Sequence, residues 1–384
     1  MLTGDDALST ITDEWDELYR HCSHPTPFQT SAWLVSWWRE YGRPGTLRLL
    51  LARRAGVLVG AVALMAVGRA GMRVLQPVGT GISDWTDVLV HPDAADRTLP
   101  AFREALLSYR GWHAIDFPEV APGAAVHGLF HLWSHRKVTL PASLCQELVA
   151  APMDDLAASL SRSGRANVRR ALRKIDSAGV TSRIVPDDEL PAALQGLLEL
   201  HLRQWSERGA VTAEHERPRF ARHLVGAATT MARRGEAVLC EYRINGSLVA
   251  SNLFLLGPQM VGGYLYGADP ELYQRFNVTT MIIRTGMELA TKGQRPVLGL
   301  MRGRESYKSE WRPETRQNDR LLMCRPGSVA GLVYVGSSQL REVVVPVLRA
   351  RAPKLASAGR LVRQHLRTGV RAVSGRTDPA CREG

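Results

Sequence analysis

The segment of residues 300–308 ends with two residues whose side chains could assist a group-transfer reaction. Tyr307 can donate a proton, and Lys308 can neutralise a developing oxyanion or a phosphate. The segment follows a predicted strand, so both side chains would be held at the end of that strand. A Tyr-Lys pair is common in proteins, and its meaning depends on the residues around it.

A second candidate segment lies between a predicted strand, residues 260–268, and a predicted helix, residues 278–290. A helix N-terminus favours anions because its backbone N–H groups are free and its dipole is positive there. The turn could therefore face a bound pyrophosphate, with Arg275 adding a positive charge. An ordinary strand–helix connection has the same pattern. The turn consists of Phe276, Asn277, Val278, Thr279 and Thr280.

A third segment is strongly basic. Arg165, Arg169 and Arg173 recur every four residues and align on one face of a predicted helix, with Val168 and Leu172 pointing inward. Such a row could hold phosphates. The alternative interpretation is a solvated helix face without a ligand.

Charge is unevenly distributed along the 384 residues. The formal net charge is +12, and it is −2 in residues 1–150, +7 in residues 151–330 and +7 in residues 331–384. A phosphate-rich partner would thus be attracted to the second half of the chain. The excess of positive charge is equally consistent with many solvated arginines that bind no phosphate-rich partner.

Composition excludes several classes of protein. Hydrophobic residues make up 45% of the chain, which is typical of a globular protein, and the longest uncharged apolar stretch, residues 55–68, is too short to span a bilayer. The five cysteines are scattered without a CxxC pair, which argues against a disulfide scaffold and a zinc cluster. His127, His131 and His135 lack acidic or cysteine company, so we expect no metal. No secretory signal is evident, and we expect a cytoplasmic protein.

The elements that must position these residues fall into two similar groups. The first group has helices within residues 12–42 and 98–110, and a helix N-cap is predicted at residues 28–31. Asn-Gly at 245–246 predicts a hairpin in the second group. The predicted strands of the first group are residues 47–52, 57–66, 74–77, 87–90 and 114–117. The second group comprises helices 154–161, 166–178, 190–208, 218–233 and 278–290 and strands 237–242, 248–255, 260–268 and 297–301.

These groups predict an α/β protein with three parts. Residues 1–150 and 151–330 form two domains of similar outline, which suggests a duplicated fold. Residues 331–384 form a tail in which residues 354–373 make a basic amphipathic helix. Such a tail could make peripheral contact with the anionic inner face of a membrane.

Several longer segments together resemble one family. They include PFQTSAWLVSWWREYG, VGTGISDWTDVLV, LHLRQWSERG, YGADPELYQRFNVTTMIIRTGMELATKG and LMRGRESYKSEW. In order and content these are similar to CelD-like acyltransferases of the GNAT superfamily, over roughly residues 25–315. The Fem-type aminoacyl-tRNA-dependent transferases are related. The resemblance implies two tandem GNAT-like domains with mixed, mostly antiparallel sheets flanked by helices.

The resemblance also implies roles for particular residues. Tyr307 and Lys308 match an aromatic-Lys position near the transferred acyl group. His201 matches a His-x-x-x-Trp helix and is either a candidate base or a buried structural histidine. Many family members have an acidic residue where this chain has Gly299, so Glu305 or a bound water would take over its role. The donor would lie against Arg275, Phe276, Asn277, Val278, Thr279, Thr280, Arg302 and Gly303, and the acceptor side would include Asp84, Trp85 and Trp205.

The implied activity is N-acyl transfer from acyl-CoA to a small-molecule amine, such as an amino sugar, a cell-envelope amine or a secondary-metabolite amine. No permanently bound cofactor and no DNA partner are expected. An aminoacyl-tRNA donor is the alternative, favoured by Arg165, Arg169 and Arg173. A second alternative is a catalytically degenerate binding module. Gly299 favours this last interpretation, whereas the intact Tyr307 and Lys308 count against it.

Overall fold

The computed structural model describes residues 1–69, 71–206, 213–303 and 305–351. The chain divides into two compact units, Met1–Leu332 and Val333–Gly384. The basic helix predicted for residues 354–373 lies outside the described residues. In the portion of the chain that is described, no helix is both long enough and apolar enough to cross a membrane.

The first half of the larger unit alternates helices with short strands. Thr30 begins the Trp-rich helix, because its hydroxyl accepts the backbone N–H of Trp33 at 3.3 Å, which confirms the predicted cap. Trp33 and Trp37 are buried beneath it. The elements are α1 (Thr12–His21), α2 (Ser31–Tyr41), β1 (Leu47–Arg54), β2 (Val57–Arg69), β3 (Met72–Pro77), β4 (Leu89–Val90), α3 (Ala95–Ser108), β5 (Ala114–Val120), α4 (Val126–Leu132) and β6 (Lys137–Val149).

The second half begins with helices and continues with a hairpin at Asn245-Gly246, where both residues have positive φ, as a type I′ turn requires. Its elements are α5 (Met153–Ser159), α6 (Arg162–Ser177), β7 (Thr181–Ile184), α7 (Leu190–Ser206), α8 (Pro218–Arg233), β8 (Ala237–Ile244), β9 (Ser247–Leu256), β10 (Met260–Ala268), α9 (Pro270–Arg275), α10 (Val278–Lys292), β11 (Val297–Arg302), α11 (Ser306–Ser309) and β12 (Glu314–Cys324). The helix α12 (Val329–Arg351) follows.

One helix boundary differs from the prediction. The sequence predicts helices 154–161 and 166–178 with a break between them at Ser163-Gly164, but α6 begins at Arg162 and runs through these two residues without interruption. Ser161 caps this helix, and its hydroxyl accepts the backbone N–H of Gly164 at 3.1 Å. The glycine therefore lies in the first turn, where a residue of low helix propensity is tolerated.

A single mixed sheet joins both halves. Its order is β1-β2-β3-β5-β12-β6-β11-β10-β9-β8-β7, and β4 pairs with β2 beside this path. The pairs β3/β5 and β10/β11 are parallel, and the other neighbours are antiparallel. The prediction of a mixed, mostly antiparallel sheet is confirmed, although it forms one continuous sheet. The domain boundary near residue 150 stays a prediction.

From either edge of the sheet inward, a run of antiparallel strands is followed by one parallel pair, which is β3/β5 in the first half and β10/β11 in the second. At the centre of the sheet the two halves exchange strands. β12, from the end of the second half, pairs with β5 and β6 of the first half. β6, from the first half, pairs with β11 of the second half. The exchange brings residues 81–84 and 142–144 close to the end of β11, where the candidate site lies.

Candidate active site

The strands β10 and β11 form a fork. They pair in parallel over Met260–Gly262 and Val297–Gly299, and the pairing stops there although both strands continue. On β10 the register against β9 shifts between Gly263 and Leu265. A bulge re-aims the side chain of the extra residue, and Tyr264 donates its hydroxyl to the carbonyl of Ile82 at 3.0 Å.

A cavity of about 770 Å³ opens at this fork. Both strands line it, together with segments of the first half of the chain. A smaller apolar cavity of about 40 Å³ lies against α10 and includes Phe254 and Ile282 in its wall. Gly263, Tyr266, Leu300 and Tyr307 line both cavities. Tyr307 therefore lies where the small cavity and the large cavity adjoin.

Gly299 lies at the point where the fork opens. A Cβ at this position would meet the Met260 methyl group at 2.5 Å. An acidic side chain, which the family resemblance suggested, would therefore require Met260 to move. That methyl group is the end of a flexible side chain, so this contact alone does not account for the glycine.

Arg302 ends β11 and is held by two acidic side chains of the first half. Asp84 accepts the Arg302 backbone N–H at 3.0 Å and its Nε at 2.6 Å, and Glu119 lies 3.4 Å from Nη1. Asp84 is only 5% exposed. These carboxylates raise the pKa of Arg302, against the opposing effect of burial. The predicted acceptor residue Asp84 and the predicted donor residue Arg302 are thus direct partners.

Lys308 is buried and holds the turn that follows β11. Its ammonium group donates to the Arg302 carbonyl at 2.8 Å and lies 2.8 Å from a carboxylate oxygen of Glu305. Met301 and Gly303 both have positive φ, which is unusual for a methionine and marks a locally strained backbone. All five of these residues line the large cavity. Lys308 therefore stabilises the turn as well as lending a positive charge to the wall.

Two histidines form a pair on another wall of the cavity. His201 contacts the Tyr266 carbonyl through Nδ1 at 2.7 Å and His215 Nδ1 through Nε2 at 3.1 Å. Burial lowers the pKa of His201 and lowers that of His215 to about 4. His201 was expected from the sequence, but His215 was not. It lies in a loop, and nothing in its sequence spacing signals the contact.

The predicted donor loop lies at the start of α10. Asn277 caps this helix, since its side-chain oxygen accepts the Thr280 backbone N–H at 3.1 Å. Phe276, Val278, Thr279 and Thr280 are all buried, and Thr279 lines the small cavity. The Arg275 side chain lies outside the described part of the structure.

The basic helix α6 packs beside this loop. The Lys174 ammonium lies 5.5 Å from the centroid of the Phe276 ring, and Asp176 forms a 2.8 Å ion pair with Arg284 of α10. Arg169 and Arg173 are exposed on this helix. Arg165 is half-buried and donates to the carbonyl of Ala158. The predicted phosphate-binding row is thus exposed at two of its three positions.

Trp85, a predicted acceptor residue, is not among the residues that line the large cavity. Trp85 is 4% exposed and packs against Phe28 in the core, with ring centroids 5.8 Å apart. The side chain of Trp205 lies outside the described residues. Sequence reasoning also missed Glu119 and Tyr264, which become neighbours of the site only through the pairing of distant strands.

Comparison with known proteins shows a family match over the part of the chain that contains the fork. Residues 162–309 match the family model described as an acetyltransferase (GNAT) domain. The fold is GNAT-like. The matched GNAT segment contains β10, β11 and α10, and so includes the fork itself. No curated protein sequence matches the chain significantly.

Several solved structures resemble this GNAT-like fold over most of the chain. FemX is 12% identical, with 82% of this chain and 96% of that chain covered and a TM-score of 0.58. L-PGS from Bacillus licheniformis is 10% identical, with coverages of 85% and 96% and a TM-score of 0.53. The C-terminal domain of a putative lysylphosphatidylglycerol synthetase from Agrobacterium fabrum is 11% identical, with coverages of 87% and 97% and a TM-score of 0.52. At these identities the likeness shows the fold alone.

Proposed function

We propose that the protein is an N-acyltransferase that moves an acyl group from an acyl-CoA to a small-molecule amine. The observation that carries the proposal is the fork between β10 and β11, which opens into a 770 Å³ cavity with Tyr307 at the junction. Backbone groups on diverging strands can pair with an extended ligand as an added strand would. The amide groups of a pantetheine arm suit such pairing.

The chemistry follows from this placement. The amine nitrogen attacks the thioester carbonyl, an N–C bond forms, and the C–S bond breaks. A base must accept the amine proton, and an acid must protonate the leaving thiolate. Tyr307 is the proposed acid, since its side chain lines both cavities. Arg302 and Lys308 place positive charge on the wall around the developing oxyanion.

The test is transfer of the acetyl group from acetyl-CoA to hydroxylamine, a small amine that is largely unprotonated at pH 7. We expect Tyr307→Phe to lower kcat by about 10²-fold while the KM for acetyl-CoA changes little, as loss of a general acid predicts. Tyr19→Phe is the matched control, because it removes a buried hydroxyl that has no hydrogen-bond partner among the described residues. Equal activity of Tyr307→Phe and wild type would contradict the assignment of the acid.

An aminoacyl-tRNA donor is the second candidate, and the exposed Arg169 and Arg173 beside the donor loop favour it. Binding through phosphates releases counterions, so the affinity for tRNA falls steeply as salt rises. We expect such a donor to raise the melting temperature at 50 mM salt and to lose this effect by 200 mM, on the order of the range over which phosphate contacts weaken. A salt-tolerant increase with acetyl-CoA would favour acyl-CoA instead.

A further inference from the structure

The pair His201 and His215 has a fixed direction of hydrogen bonding. A carbonyl oxygen only accepts, so His201 must donate through Nδ1 to Tyr266. In neutral His201 the other nitrogen, Nε2, is then an acceptor. The 3.1 Å contact with His215 Nδ1 consequently requires His215 to donate. Neutral His215 is left with its lone pair on Nε2.

This direction separates the roles of the two rings. Both ring nitrogens of His201 are engaged, one by Tyr266 and one by His215. His215 also stacks on Phe220 with ring centroids 4.4 Å apart, which fixes the plane of its ring. Because His215 lines the large cavity, its Nε2 is the basic atom that the pair offers to a bound molecule.

His215 is neutral mainly because it is buried. Burial is the largest cause of its lowered pKa, followed by His201, and Arg302 acts in the same direction. Glu214 acts in the opposite direction, but its carboxylate is also bound by Arg219 at 2.6 Å. With a pKa of about 4, His215 stays unprotonated from neutral pH down to about pH 5, so its lone pair is available throughout that range.

We propose that His215 is the general base that accepts the amine proton, and that His201 is the positioning residue that fixes its tautomer. This inference rests on the proposed acyl transfer. As the N–C bond forms, the amine proton moves to Nε2 of His215. As the C–S bond breaks, the thiolate takes the proton of Tyr307. Return of a proton from His215 to the Tyr307 phenolate through water restores both groups, so charge and protons balance.

Gly299 supplies no acid for this task, and His215 fills the role from a different element. It approaches from the loop before α8, whereas Gly299 lies on β11. His215 and Tyr307 both line the large cavity, where the proposal places the amine.

The experiment combines kinetics with NMR of the full-length protein. We expect His215→Gln to lower the transfer rate from acetyl-CoA to hydroxylamine by about 10²-fold or more. In His215→Ala, added imidazole should restore at least part of the lost rate. His201→Gln should lower kcat less, with little change in the KM for acetyl-CoA. His131→Gln, at an exposed position on α4, is the control and should match wild type.

Imidazole ¹⁵N spectra at pH 7 give a readout that does not depend on turnover. We expect His215 to be protonated at Nδ1 and unprotonated at Nε2, and His201→Gln should disturb this tautomer. A protonated Nε2 at pH 7 would overturn the proposal. So would transfer by a folded His215→Gln variant within threefold of wild type. No transfer by wild type from acetyl-CoA or from alanyl-tRNA would instead refute the proposed function, and the base assignment would fall with it.

Discussion

Arg302 is the residue at which the two halves of the chain meet in the candidate site. Asp84 and Glu119 come from the first half, and together they bind the guanidinium group at the end of β11. Asn318 of β12 donates to Glu119 at 3.0 Å and to the Asp84 carbonyl at 3.3 Å. A buried network of this kind fixes the geometry of the wall, because each charge depends on its partners.

Removing one partner of this network should be costly. We expect Asp84→Ala to lower the free energy of unfolding by about 3 kcal/mol, because the Arg302 charge loses its main buried partner. Asp176→Ala is the control: it breaks the ion pair with Arg284, in which Asp176 is 64% exposed, and should cost less than about 1 kcal/mol. Urea unfolding measures both. Equal losses in the two variants would show that the Asp84 pair behaves as a surface pair.

At the scale of single residues, the sequence predicted the features that depend on residues close together in the chain. Thr30 was expected to cap a helix, and Asn245-Gly246 was expected to form a hairpin turn, because in both cases the partners are a few residues apart. Tyr307 was singled out for its chemistry and does lie at the cavity. His215 and Glu119 could not be found in this way, since their partners are brought near only by the folded loop and the distant strands.

At the scale of the element, the start of α10 can be compared with the prediction that the acyl donor lies against this turn. The loop before it contains no glycine, and Asn277 uses its side chain to satisfy the Thr280 N–H. A helix start that caps itself has one fewer free donor for an anion. The small cavity beside Thr279 nevertheless places this turn next to the fork.

The cap can be tested against a matched cap on another helix. We expect Asn277→Ala and Ser161→Ala each to lower the free energy of unfolding by about 1 kcal/mol, as is usual for a lost N-cap. Only Asn277→Ala should also raise the KM for acetyl-CoA, because Asn277 begins the helix that borders the fork. Steady-state kinetics beside thermal unfolding checks this. A raised KM in Ser161→Ala to the same extent would mean that general loosening, rather than the donor loop, is responsible.

At the scale of the whole larger unit, the exchanged strands make the halves depend on each other. β12 lies between β5 and β6, and β6 pairs on its other side with β11. The family resemblance indicated two similar halves, and the repeated strand order agrees with that description. No local pattern could predict the exchange, because β5 and β12 are separated by nearly the whole second half of the chain.

The exchange predicts that neither half is stable alone. A fragment of residues 1–150 lacks both strands that pair with β6, so we expect no cooperative urea transition when it is followed by circular dichroism. A fragment of residues 1–332, which is one compact unit, should unfold cooperatively. Cooperative unfolding of the shorter fragment would show that the first half completes its own core.

The same exchange has a consequence during synthesis. β5 ends at residue 120, and its partner β12 begins at residue 314. At the usual rate of translation, a ribosome takes about 10 to 40 s to make the intervening segment. Throughout that interval the nascent chain carries a strand edge without its final partner, and such edges attract other strands. We therefore expect the growing chain to be prone to aggregation until β12 has emerged.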